Sequence, residues 1–166
     1  MGKFLKKFQF SWYDLDANRH VTNTSYIKAC VEFRMQKLKE YGIDLDYLQE
    51  NEIGPVVLHE FHYFMAEVEA DEDLYLEIEL AGVTKDYKFS EFAHHMYDVQ
   101  GEIVYYCITT LAFLDLANRK LIIPPDNVIS LIDDLPRTSN FKILTKSDLR
   151  KPEVPYTKKI QIPDTL

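Results

Sequence analysis

The segment WYDLDANRHVTNTSY, residues 12–26, gathers several chemically versatile side chains into one short polar stretch. It holds two carboxylates (Asp14 and Asp16), an imidazole (His20) and an amide (Asn23), with almost no aliphatic residue. An ionised carboxylate can act as a nucleophile or a general base, and an imidazole can transfer a proton. These residue types therefore indicate a candidate catalytic loop.

The residues after this loop predict a long and largely enclosed helix that ends at Gly42, where a left-handed residue is favoured. One narrow polar stripe recurs every four residues, and nearly all other positions are apolar. The stripe consists of Lys28, Glu32, Gln36 and Glu40. A helix with so thin a polar face is mostly covered by other structure, so we expect Cys30 and Val31 to be buried.

The start of this helix offers a partner for the carboxylate at Asp16, seven residues before Asn23. The first backbone N–H groups of a helix have no internal acceptor and favour negative charge beside them. A carboxylate facing such amides has the parts that acyl transfer needs. A purely structural interpretation stays open, in which Asp14 and Asp16 make turns, Asn23 or Thr24 caps the helix and His20 fills space.

From Gly54 onward the hydrophobic pattern changes to a period of two, which predicts strands. The pattern is clearest over residues 74–80, where leucine and isoleucine alternate with Tyr75, Glu77 and Glu79. Four such strands are expected, at 55–65, 73–83, 87–99 and 102–116, with a hairpin turn around Gly101. Long consecutive strands with short links favour an antiparallel sheet, which one strongly apolar helix can cover.

Length and composition predict one globular domain. The chain has 166 residues, 46% hydrophobic and 28% charged, and a net charge of −8, which disfavours general nucleic-acid binding. No apolar run approaches the roughly 20 residues of a membrane span, and no signal peptide is recognisable. We expect a cytoplasmic protein without a membrane partner. Cys30 and Cys107 are expected to be reduced and buried.

No metal site or cofactor is expected from the sequence. His94 and His95 are adjacent in a strand and point to opposite faces. The segment HEFH at 59–62 is one residue shorter than the zinc motif HExxH, and it lies on a strand. The chain has no GxSxG motif and no glycine-rich phosphate loop.

The opening motif, D-x-D-x-x-x-H-V-x-N-x-x-Y, resembles the 4-hydroxybenzoyl-CoA thioesterase-like hotdog proteins, with Arg34 eight residues after Tyr26. The resemblance extends weakly over residues 5–128. It implies an α+β hotdog fold, in which a five- to six-stranded antiparallel sheet wraps a long central helix. We therefore expect a hotdog domain over 1–128 and a C-terminal extension over 129–166 that packs on the domain or on a neighbouring subunit.

The resemblance also implies roles for individual residues. Asp16 matches the catalytic carboxylate, and the backbone N–H of Asn23 matches the group that polarises the thioester carbonyl. His20 and Tyr26 match positions that shape the loop and the pocket. The acyl group is then expected to lie between helix and sheet, against Ile27, Val31, Phe61 and Phe64. Family members pair their sheets edge to edge, which implies a homodimer or a homotetramer.

The sequence departs from the family pattern at its coenzyme A contacts. A basic residue common after the second strand is Glu69 here, so Lys85, Lys88, Arg119 or Lys120 would have to replace it. The favoured function is hydrolysis of a thioester of coenzyme A or of acyl carrier protein. Two alternatives stay open: a hotdog hydratase or dehydratase using His20 with Asp16, and a module that binds acyl thioesters without catalysis.

Overall fold

The structure is a computed structural model that describes residues 2–150. Its strands are β1 (Leu5–Phe8), β2 (Ile53–Phe64), β3 (Leu74–Val83), β4 (Phe89–Tyr97), β5 (Ile103–Asp115), β6 (Lys120–Ile122) and β7 (Arg137–Ile143). Its helices are α1 (Asn23–Glu40), α2 (Leu45–Glu50), α3 (Asp126–Asp134) and α4 (Lys146–Leu149). One turn of 3-10 helix, Trp12–Asp14, precedes α1.

The strands form one sheet in the order β1-β3-β4-β5-β2, with antiparallel neighbours throughout this path. The sheet packs against α1, which confirms the expected hotdog fold. The described part of the chain contains two more short strands than the five on this path. One of them, β6, extends the end of β5, and the other, β7, runs parallel to β3. β2 lies at one edge of the sheet.

The inner face of the sheet follows the alternation of the sequence. Four aliphatic side chains of β3 are at most 3% exposed, namely Leu74, Leu76, Ile78 and Leu80. His94 is fully buried on this inner face beside Arg34, whereas His95 lies on the outer face beside Glu79. The opposite orientations predicted for the two histidines are confirmed. The hairpin turn at Gly101 is also present, with φ 83°.

The N-cap of helix α1 lies one residue before the first of the two predicted candidates. The Oγ1 of Thr22 accepts a hydrogen bond from the N–H of Ser25, so Thr22 is the N-cap and neither Asn23 nor Thr24 has this role. At the other end Gly42 adopts φ 77°, as expected for a residue just beyond a helix.

The solvent-exposed side of α1 is wider than predicted. Val31 is 40% exposed in the protomer, so the expectation that it is buried is wrong, while Cys30 is 1% exposed as expected. Val31 is three residues before Arg34, which contacts Glu60 on the edge strand β2. Among residues 2–150 no strand lies beyond β2 in the sheet.

Residues after β6 complete the core. Helix α3 buries Val128, Leu131 and Ile132 over the C-terminal half of α1 and closes an apolar cavity of about 50 Å³. The predicted extension continues through β7 and α4, and residues 151–166 lie outside the described residues. Within residues 2–150, no helix is both long enough and apolar enough to cross a bilayer.

Candidate active site

Asp16 begins a tight five-residue turn that ends at His20. The Oδ1 of Asp16 accepts hydrogen bonds from the N–H of Asn18 (2.7 Å) and of His20 (3.2 Å). The backbone N–H of Asp16 donates to the carbonyl of His20, and the N–H of Arg19 donates to the carbonyl of Asp16. These bonds fix the backbone at Asp16 and leave its Oδ2 without a partner among the described residues.

The turn at Asp98 has the same set of hydrogen bonds as the turn at Asp16. Asp98 Oδ1 accepts from the N–H groups of Gln100 and Glu102, and the backbone pair of Asp98 and Glu102 mirrors that of Asp16 and His20. The fourth residue is left-handed in both turns, Gly101 in one and Arg19 (φ 66°) in the other. The hydrogen bonds of Asp16 are therefore a property of this turn type and are not evidence of catalysis by themselves.

Asp14 connects the loop to the start of α1. Its Oδ2 accepts from the backbone and side chain of Ser11, and its Oδ1 accepts from the hydroxyl of Ser25 at 3.0 Å. Its carbonyl accepts from the N–H of Thr22. Burial opposes ionisation of Asp14, but the hydrogen bonds from Ser11 and Ser25 outweigh it and lower the pKa of the carboxyl. Both oxygens of Asp14 are thus occupied by structural contacts.

The first turn of α1 supplies unpaired donors. The backbone N–H groups of Asn23 and Thr24 have no acceptor within the described residues, and both residues are exposed. The N–H of Thr22 donates to the carbonyl of Asp14, which precedes Asp16 by two residues. This hydrogen bond ties the start of the helix to the Asp16 turn. The terminus can therefore accept a carbonyl oxygen that gains negative charge.

His20 faces a carboxylate that sequence reasoning missed. Its Nε2 lies 3.6 Å from Glu67 Oε1, and the two side chains are 52% and 80% exposed. Glu67 lies three residues after the end of β2. It is far from His20 in the sequence, so no local spacing could have identified the contact.

The predicted substrate-binding residues lie on α1 and β2. Tyr26 is 4% exposed and packs on Phe64 and Tyr105, so it forms the floor of the candidate site. Ile27 is partly exposed on α1, whereas Val31 on α1 and Phe64 at the end of β2 are 40% and 51% exposed.

Phe61 pairs with Ile108 and lines a depression on the outer face of the sheet together with His95 and Tyr106. Phe64, at the end of β2, lines the same depression and also packs on Tyr26. The expectation that both phenylalanines contact the acyl group stays a prediction.

A buried polar group lies farther along α1. Arg34 donates to Glu60 Oε1 and to Thr109 Oγ1, both at 3.3 Å, and Thr109 donates to the same carboxylate at 2.8 Å. The guanidinium also lies 3.5 Å from Nε2 of His94, and burial together with Arg34 holds the pKa of His94 well below its usual range. Removing either partner of this ion pair would leave an uncompensated buried charge.

The four candidate phosphate contacts lie away from Asp16. Lys85 and Lys88 are in the turn between β3 and β4, whereas the loop partner Glu67 precedes the beginning of β3. Arg119 and Lys120 follow the end of β5, which pairs with the beginning of β2. All four residues lie at the end of the sheet opposite the Asp16 loop, and a contact between any of them and the phosphates of coenzyme A stays a prediction.

Known structures share this architecture at low sequence identity. The SAV2348 protein of Staphylococcus aureus, solved in complex with CoA, has a TM-score of 0.73 at 14% identity, with 96% of this chain and 95% of that chain covered. Slr0204, a 1,4-dihydroxy-2-naphthoyl-CoA thioesterase from Synechocystis, has a TM-score of 0.72 at 16% identity, with 81% and 98% covered. BH1999, a gentisyl-coenzyme A thioesterase, has a TM-score of 0.67 at 18% identity, with 77% and 98% covered.

The sequence itself identifies the family. No curated protein matches the sequence significantly. The family model of the thioesterase-like superfamily matches residues 10–159, which include the Asp16 turn, α1 and every strand of the sheet except β1. The chain therefore belongs to the thioesterase-like superfamily.

Proposed function

We propose that this protein hydrolyses an acyl thioester, of coenzyme A or of acyl carrier protein, to a free acid and a thiol. The observation that carries the proposal is the position of Asp16. One oxygen of its carboxylate is held by the turn, and the turn is tied to the start of α1. Neither the other oxygen nor the first amides of the helix have a hydrogen-bond partner within residues 2–150. Membership of the thioesterase-like superfamily supports the same reaction class.

Two reaction courses fit this arrangement. In the first, Asp16 attacks the thioester carbonyl, the thiolate leaves, and water hydrolyses the resulting mixed anhydride. In the second, Asp16 removes a proton from a water molecule that attacks the carbonyl directly. In both, the backbone amide of Asn23 stabilises the oxyanion. His20, oriented by Glu67, acts on the leaving group or on the water.

We place the acyl group in the groove between α1 and β2, against Ile27, Val31 and Phe64, with Tyr26 as its floor. The groove is open in one protomer, and β2 exposes apolar side chains along its free edge. These are Val57, Leu58, Phe61, Tyr63 and Phe64. Pairing of β2 with the β2 strand of a second copy would bury this edge and close the groove. We therefore propose a homodimer, with a tetramer as a possible larger assembly, in the cytoplasm.

The proposal is tested with a panel of acyl-CoA and acyl carrier protein thioesters, using a reagent for the free thiol. Hydrolysis releases one thiol per acid formed. A hydratase would change the absorbance of an enoyl substrate without releasing thiol. A module that only binds would show saturable binding to the thioester in calorimetry and no product in either assay. Either of the last two results would overturn the proposal.

A further inference from the structure

Three side chains that can bind metal converge on the outer face of the sheet. Glu77 and Glu79 are two residues apart on β3 and point the same way, and His95 on β4 pairs directly with Glu77. One ligand atom from each residue lies within 4.8 Å of the other two. The Nδ1 of His95 is 3.5 Å from Glu79 Oε2, close to the ligand spacing of a tetrahedral site.

The cluster lacks a positive counterpart in the part of the chain that the structure describes. Neither Glu77 nor Glu79 forms an ion pair with a lysine or an arginine there, and the side chains of His95 and Glu79 are only 15% and 23% exposed. The Nδ1 of His95 is inaccessible to solvent and makes no hydrogen bond. Two partly buried carboxylates thus lie beside an imidazole nitrogen that makes no hydrogen bond. A bound cation would compensate their negative charge.

We propose that Glu77, Glu79 and His95 bind one divalent transition-metal ion, with Zn²⁺ as the metal that suits them best. Imidazole with two carboxylates is a ligand set for zinc and its neighbours, whereas Mg²⁺ and Ca²⁺ prefer sites made of oxygen alone. A water molecule completes the four positions.

The surroundings of the three residues support ordered ligation. The hydroxyl of Tyr97 donates to Glu77 Oε2 at 3.0 Å and so orients the carboxylate, as an outer hydrogen-bond donor does in metal sites. The rings of Tyr97 and Tyr106 lie against His95 and fix its plane. The ion would link β3 to β4. Because it lies on the face of the sheet away from α1, this role is independent of the thioesterase proposal.

Sequence reasoning did not find this cluster, because it compared His95 only with its neighbour His94. The relevant partner is Glu77, which lies on the neighbouring strand β3, 18 residues earlier in the chain. Only the register of β3 with β4 shows this pairing.

The test is calorimetric titration of the full-length, chelator-treated protein with Zn²⁺, together with the visible spectrum of the Co²⁺ form. We expect one tight site with a tetrahedral Co²⁺ spectrum. Glu79→Gln keeps the shape of the side chain, and His95→Gln replaces the imidazole with an uncharged polar group. Each substitution should weaken binding by about tenfold or more. Circular dichroism of the metal-free variants verifies that they fold.

The matched control is His62→Gln. His62 also lies 3.5 Å from a carboxylate, that of Glu60, but this carboxylate is already paired with Arg34. The control should bind Zn²⁺ as the wild type does. Absence of Zn²⁺ binding by the wild type, equal affinity in the wild type and His95→Gln, or loss of binding in His62→Gln would each overturn the proposal.

Discussion

Asp14 and Asp16 differ by two positions in sequence and by their entire hydrogen-bonding environment. Both oxygens of Asp14 hold the loop against Ser11 and the start of α1. Asp16 uses one oxygen in its turn, and the other has no partner in the described part of the chain. The motif predicted that both residues belong to the same loop. Only the observed bonds distinguish the carboxylate that holds the structure from the one available for chemistry.

Asp14→Asn should lower the free energy of unfolding by about 1 kcal/mol at neutral pH, because it removes the charge that strengthens the hydrogen bonds from Ser11 and Ser25 and replaces one acceptor oxygen with a donor. The folded-state pKa of Asp14 is lowered, so its stabilisation is complete above the unfolded pKa of about 3.9 and is lost as pH falls through the folded value. Urea unfolding from pH 7 to pH 3 should therefore show the two proteins converging in acid. A constant difference across this range would contradict the assignment.

At the residue scale, the sequence identified the candidate base but not its surroundings. The spacing of Asp16, His20 and Asn23 is local and can be seen in the motif. The contact of His20 with Glu67 and the ion pair of Arg34 with Glu60 join distant segments. Such pairs depend on which strands lie side by side, and that information is not contained in local periodicity.

At the element scale, α1 shows what helical periodicity can and cannot predict. The pattern correctly predicted a long helix that buries Cys30. It did not predict that Val31 is 40% exposed, since the pattern does not show which faces of the helix other elements cover. The apolar side chain of Val31 fits a surface that a ligand or another subunit covers.

Phe33→Ala should lower the free energy of unfolding by about 3–5 kcal/mol, because Phe33 is 1% exposed in the core and its removal leaves a cavity. Val31→Ala, on the same helix, should cost less than about 1 kcal/mol under conditions where the protein is monomeric. Chemical denaturation of both variants measures the difference. Similar losses for the two would mean that the exposed flank of α1 is covered within the protomer.

At the scale of the whole molecule, the fold was predictable because its elements are long and strongly patterned. The four long strands and α1 appear in sequence order, and the hotdog arrangement is confirmed. The short strands β6 and β7 were missed because three to seven residues carry little periodic signal. The boundary between a domain over 1–128 and an extension over 129–166 stays a prediction.

We expect a homodimer whose interface includes β2. Light scattering at micromolar concentration should give a mass about twice the monomer mass of 19.5 kDa. Val57→Lys places a charge on the exposed edge, where Val57 is 45% accessible, and should shift the protein towards monomer. Lys39→Glu, a charge change on an exposed position of α1, is the control and should leave the mass unchanged. A wild-type monomer would contradict the edge-pairing model.

The central claim is that Asp16 performs chemistry beyond shaping its turn, and Asp98 provides the matched control because its turn has the same four hydrogen bonds. The decisive measurement is the turnover number of Asp16→Asn and Asp98→Asn with the best acyl thioester of the panel. Asparagine keeps the oxygen that each turn needs, so both variants should remain folded. Asp16→Asn should lose about 10² or more in turnover, while Asp98→Asn should retain wild-type turnover. Equal losses in the two variants, or no loss in Asp16→Asn, would show that Asp16 is only a turn residue.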